Sequence, residues 1–137
     1  MRVADLMQTN VITATAETPI SEIIRALADG HVSSVPVVDG HRRVLGVVST
    51  SDLIVAEAEA GDAEARTVLT ERGVAGDLMT TNAVTIAPDA SAREAARLML
   101  YAEVHRLFVV ENDKLVGVIS TTDLVRAVAT GGIGKAT

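Results

Sequence analysis

At 137 residues, with 48% apolar and 22% charged side chains, the chain has the make-up of one globular domain or two half-size units sharing a core. A formal charge of -6 opposes binding to nucleic acid or anionic membrane, and one Tyr, one Phe and no Trp leave no stacking platform for single strands. Without cysteine there is no disulfide, thiolate metal site or thiol nucleophile, and with no apolar run of about 18 residues and no signal-peptide start the expected compartment is the cytoplasm.

A short helix is expected at Asp5-Leu6-Met7, then a brief strand at Ile12-Thr13. Ile20, Ile23, Ile24 and Leu27 follow the i, i+3, i+4, i+7 spacing of a helix with one apolar face, and Pro19 suits its first turn. The β-branched runs Val35 to Val38 and Val44 to Val48, separated by Asp39-Gly40, read as a hairpin, and a closing helix follows. Glu57 to Arg72 is rich in Ala, Glu and Arg and reads as a helical connector broken at Gly61 and Gly73.

The same order then returns. Asp77-Leu78-Met79 repeats the opening helix at a spacing of 72 (79 − 7), and Val84-Thr85 repeats the brief strand. Ala92, Ala95, Ala96 and Met99 repeat the amphipathic helix, with Ser91 as its cap. Val109-Val110 and Leu115 to Ile119, about Asn112-Asp113, repeat the hairpin. GVVSTSD from Gly46 to Asp52 matches GVISTTD from Gly117 to Asp123 at a spacing of 71 (117 − 46), so the first copy carries one extra residue near His41-Arg42-Arg43. That loop is read as a solvated hairpin turn and His31 as a helix-end residue. Two copies with a period of about 70 residues are too few and too long for a solenoid, so two packed units are expected. Their boundaries are set at 1–60 and 74–131, with 61–73 as connector and 132–137 as a flexible tail. The fold class is α/β (α+β), each unit running helix-strand-helix-strand-strand-helix.

The ordered double set of a Met-bearing opening, an apolar-Thr strand and Gly-x-x-[Ser/Thr]-x-x-Asp before the last helix resembles a pair of CBS domains, often called a Bateman module. The resemblance covers nearly the whole chain. It implies pseudo-two-fold packing of the copies, clefts that take AMP, ADP, ATP or S-adenosylmethionine, homodimers, and regulation of a separate effector protein.

In the second copy Ser120, Thr122 and Asp123 fall where a strand hands over to a helix starting near Thr121. A helix start offers free N–H groups and a positive dipole end to phosphate, while a carboxylate can accept both hydroxyls of a ribose diol, the role the resemblance gives to Asp123. Val104-His105-Arg106 is similar to the phosphate-contacting stretch of the nucleotide-sensing gamma subunit of AMP-activated kinase. Arg and His beside a helix start suit a phosphate clamp, and the resemblance sets Thr85 beside the adenine. The first copy offers Thr13, Ser34, Ser49, Ser51 and Asp52, but Ser33-Ser34 replace His-Arg, so its site is expected to be weaker. Ser49-x-x-Asp52 and Ser120-x-x-Asp123 also match helix-capping boxes, an alternative that needs no ligand.

The expected function is a sensor of an adenine nucleotide. The alternatives are a structural dimerisation module with vestigial clefts and an S-adenosylmethionine sensor. No catalytic residues, metal site or required cofactor are expected, because metal-ligand spacings, the phosphate-loop motif and the nucleophile-elbow motif do not occur.

Overall fold

The computed structural model describes residues 1–131; the expected tail at 132–137 lies outside the described residues. The elements run α1 (Val3–Leu6), α2 (Ile20–Asp29), β1 (Ser34–Val38), β2 (Val44–Ser49), α3 (Thr50–Ala60), α4 (Ala63–Arg72), α5 (Ala75–Leu78), β3 (Thr85–Ile86), α6 (Ala92–Ala102), β4 (Arg106–Glu111), β5 (Lys114–Ser120) and α7 (Thr121–Ala129).

Two compact units emerge, Ile12–Ala83 and Met1–Val11 together with Val84–Thr137. The spatial units therefore differ from the sequence repeats, because each opening helix is built into the body of the other repeat. In the unit holding the second repeat, Val3 and Ala4 donate their N–H groups to the carbonyls of Ala90 and Pro88. In the unit holding the first repeat, Ala75 and Gly76 donate in the same way to Thr18 and Ala16. These bonds satisfy donors at the starts of helices too short to hold themselves together.

Each core lies between the amphipathic helix and the hairpin. Ile23, Leu27, Val35, Val37, Val48 and Ala75 fill one; Ala95, Met99, Leu107, Val109, Ile119 and Val3 fill the other at equivalent positions. Volume is traded between the copies: Ile23 with Ala75 in one core becomes Ala95 with Val3 in the other, which keeps the packing dense without identical residues.

The sheets differ. β1 and β2 form a two-stranded antiparallel pair, whereas β3, β4 and β5 form a three-stranded sheet in that order. The strand expected at Ile12-Thr13 shrinks to a single parallel bridge between Ala14 and Val37. Pro36 supplies the reason: at the equivalent place in the second copy Phe108 donates its N–H to the carbonyl of Val84, and proline has no N–H to give. Pro19 stands just before α2 in extended conformation, as its N-cap rather than inside its first turn.

The segment expected to be one broken helical connector divides at Gly61, whose φ of 84° ends α3, and resumes as α4 under an Asp62 cap that accepts the Ala65 N–H. Leu69 and Thr70 of α4 lie along the groove between α2 and α3 with Ile20, Ile24, Leu53 and Ile54. The equivalent groove between α6 and α7 holds about 810 Å³ and is lined by Met99, Leu100, Leu124, Val125 and Val128. Leu100, Val125 and Val128 are all exposed there. No described helix is long and apolar enough to cross a membrane.

Candidate functional site

The hairpin and the closing helix assemble the second-repeat cluster. Arg106 opens β4 and pairs in register with Ser120 at the end of β5, while the N–H of Thr121 donates to the carbonyl of His105 and fixes the start of α7 against the start of β4. Ser120 is the N-cap of α7 and Asp123 its third residue, forming the capping box expected from the sequence. Asp123 Oδ2 accepts the Ser120 N–H at 2.8 Å and the Ser120 hydroxyl at 3.0 Å.

The other oxygen, Oδ1, accepts from Gln8 Nε2 at 3.1 Å and from an Arg126 guanidinium nitrogen at 3.3 Å. Asp123 is only 4% exposed, and these donors offset the cost of burying its charge. Gln8 is held in place by its backbone, which exchanges two hydrogen bonds with Val118. Arg106 is half-buried; burial pushes its guanidinium below the ordinary value, and the Asp123 carboxylate works against that shift. A guanidinium keeps its proton in any such setting, so a fixed positive charge stands within electrostatic reach of the carboxylate.

The structure thus gathers Arg106, Ser120 and Asp123. Val104 and His105 instead line the apolar groove between α6 and α7. Thr122 is exposed on the first turn of α7, and Thr85 is exposed on β3 opposite Phe108. Residues 103 and 31, at equivalent places, turn each repeat from helix towards strand in the left-handed region, with φ of 57° at Glu103 and 52° at His31.

In the first repeat Ser49 caps α3, and Asp52 Oδ2 accepts the Ser49 N–H at 2.8 Å and its hydroxyl at 3.0 Å. The Thr80 hydroxyl lies 3.5 Å from both Asp52 oxygens, at the margin of hydrogen bonding. Ser34 pairs in register with Ser49 at the place Arg106 takes in the second copy. Asp52, Ser34 and Thr13 are half-buried and Ser51 is exposed. Thr80 follows Met79 as Gln8 follows Met7, so repeat alignment pointed to this position, though the sequence reading did not single it out. Arg126 was also missed, although i, i+3 spacing from Asp123 marks it as a helical neighbour. Among the described residues no group of acidic or histidine side chains is placed to hold a metal ion.

Two α/β units, each closing with a capped helix whose acidic residue sits against polar side chains at a strand end, define a tandem-repeat protein with one polar cluster per unit. The CBS domain family model matches residues 3–59 and 75–130. The chain belongs to the CBS domain family.

Chloroplastic CBSX2 of Arabidopsis thaliana is 28% identical over 139 residues, covering 86% of this chain and 58% of that protein. The chain spans 41% of another relative, MJ1225 of Methanocaldococcus jannaschii, to which it is 27% identical over 124 residues and 90% of its own length. In structure it is similar to AcuB of Vibrio cholerae, a protein ascribed to acetoin utilization, with a TM-score of 0.82 and 26% identity over 95% of this chain and 91% of that one. CBSX2 in complex with AMP gives a TM-score of 0.79 and 29% identity over 94% and 96%.

Proposed function

We propose that this chain is a regulatory module that binds an adenine nucleotide at the second-repeat cluster and alters an effector protein in response, with no catalytic step of its own. The observation that carries this reading is the placing of a guanidinium, a capping hydroxyl and a carboxylate together at the start of α7. Asp123 suits a ribose diol, while Arg106 with the helix N-terminus suits a phosphate. The similarity to AMP-bound CBSX2 supports the same ligand class. Thr85, Val104, His105 and Thr122 are the flanking residues proposed to meet the adenine and phosphates. In the first repeat Thr13, Ser34, Ser49, Ser51 and Asp52 form the weaker site, because Ser34 stands where Arg106 stands. We place the protein in the cytoplasm as a homodimer, in keeping with the bare apolar face of α6 and α7.

A thermal-shift series with AMP, ADP, ATP, adenosine and S-adenosylmethionine tests the reading, since a ligand that binds only the folded state raises Tm. The expected result is a rise with an adenine nucleotide that is lost in Asp123→Ala. A rise with S-adenosylmethionine alone moves the assignment to that ligand. No rise with any of them returns the Ser-x-x-Asp motifs to capping alone.

A further inference from the structure

We propose that Gln8 is a built-in competitor for the Asp123 carboxylate, a side-chain latch that must swing away before a ribose diol can bind the second-repeat site. The inference rests on the adenine-nucleotide reading above and concerns its regulation.

The first ground is the supply of acceptors. Asp123 Oδ2 is committed to the backbone and hydroxyl of Ser120, bonds that also cap α7. Oδ1 is the oxygen left for a ligand, and it carries Gln8 Nε2 and Arg126. A carboxylate oxygen accepts about two hydrogen bonds, so Oδ1 is full. The Gln8 amide must face it with nitrogen, because an ionised carboxylate offers no donor to the amide oxygen. A diol brings two new donors and needs a place vacated.

The second ground is mobility. Gln8 is exposed although the carboxylate beneath it is buried, so its side chain lies over the acid as a cover. Its backbone bonds to Val118 at 2.8 and 2.9 Å do not depend on the side-chain rotamer. The amide can therefore leave without disturbing the strand.

The third ground is the internal control. In the first repeat the equivalent residue is Thr80, too short to cover Asp52, with its hydroxyl 3.5 Å away and the acid half-buried. Two copies of one motif thus differ in whether the acid is latched. A protein whose binding-competent state is a minority binds more weakly by that fraction, so Gln8 raises the ligand concentration at which the second site fills.

The test is titration calorimetry in an Asp52→Ala background, which silences the first-repeat acid, comparing Gln8 with Gln8→Thr, the residue of the other copy. Adenosine and 2′,3′-dideoxyadenosine, which lacks both diol donors, are the ligands, and Asp123→Ala is the control. The expected result is that Gln8→Thr tightens adenosine about tenfold, the scale of one hydrogen bond to a charged group, and tightens 2′,3′-dideoxyadenosine much less, because that nucleoside has no ribose hydroxyl to donate to the place Gln8 vacates. Unchanged or weaker adenosine binding in Gln8→Thr, with binding still abolished by Asp123→Ala, overturns the latch and leaves the nucleotide reading standing. Equal gains for both nucleosides also overturn it, since that signals a generally looser site. If neither protein binds adenosine, the nucleotide reading falls and the latch with it.

Discussion

The closing motifs of the two repeats, Ser49 to Asp52 and Ser120 to Asp123, have the same sequence pattern and the same capping geometry, yet their acids live in different surroundings. Asp52 is half-buried, with the Thr80 hydroxyl at 3.5 Å from each oxygen. Asp123 is buried under Gln8, tied to Arg126 and set near Arg106. Capping needs only the Ser–Asp pair, which both copies possess. What separates them is supplied by residues 8, 106 and 126, outside the motif. A duplicated motif preserves the local scaffold, and the chemistry of each site is decided by what the rest of the fold brings to it.

The largest expected effect comes from removing the two acids in turn. Asp123→Ala strips the acceptor from the Ser120 N–H, Gln8 and Arg126 and leaves the half-buried Arg106 without its nearby counter-charge. It should cost about 2 to 3 kcal/mol, against about 1 kcal/mol for Asp52→Ala, which loses only a cap. Urea denaturation of both variants reads the difference, and equal losses would mean that the surroundings of Asp123 add nothing to stability.

The motif glycines give the next contrast. A Cβ on Gly46 would meet the Thr80 carbonyl oxygen at 2.5 Å, whereas on Gly117 it would first meet the Met7 sulfur at 2.7 Å and then the Gln8 carbonyl oxygen at 2.9 Å. Thioether side chains yield and backbone does not. Gly46→Ala is therefore expected to lower Tm more than Gly117→Ala, each by a few degrees; the reverse order would show that the Met7 side chain cannot move aside.

The helix faces differ as well. Leu69 of α4 lies along the α2–α3 groove, while Leu100 and Val125 leave the α6–α7 face bare at 81% and 66% exposure. If the proposed homodimer uses that bare face, Val125→Ser together with Leu100→Ser should raise its Kd tenfold or more by sedimentation while leaving Tm at low concentration nearly unchanged.

The smallest effect concerns the hairpin loop that carries the extra residue of the first copy. Asp39 accepts the N–H groups of His41 and Arg43 and the Arg43 side chain. The Arg43 backbone bond, ahead of the His41 bond and the guanidinium, holds the Asp39 carboxyl below its ordinary value of 3.8. A depressed carboxyl contributes stability that is present above its unfolded value and fades as pH falls through the folded one. The Tm gap between the parent and Asp39→Asn should thus be constant near neutral pH and close as the pH drops below about 3.8.

Much of this fold was legible in the sequence. The duplication, the amphipathic faces at Ile20–Leu27 and Ala92–Met99, and the Asn112-Asp113 turn with φ of 52° and 63° follow from periodicity and turn chemistry. The lost strand at Ile12-Thr13 was hidden because it depends on Pro36, more than twenty residues away, refusing one hydrogen bond. The left-handed turns at His31 and Glu103 gave no signal, since neither residue is Gly or Asn. At the site, Ser120 and Asp123 were legible from the motif, and Arg106, which opens β4, from the resemblance of the stretch Val104-His105-Arg106 to a phosphate-contacting segment. Gln8 was not, because a contact across 115 positions leaves no mark on local pattern. The building of each opening helix into the other repeat's unit escaped for the same reason.

Titration of AMP into Asp52→Ala and Asp123→Ala side by side tests the central claim most directly. Asp52→Ala is expected to retain a binding isotherm and Asp123→Ala to lose it or weaken it at least tenfold. Undiminished binding in Asp123→Ala, or loss only in Asp52→Ala, would contradict it.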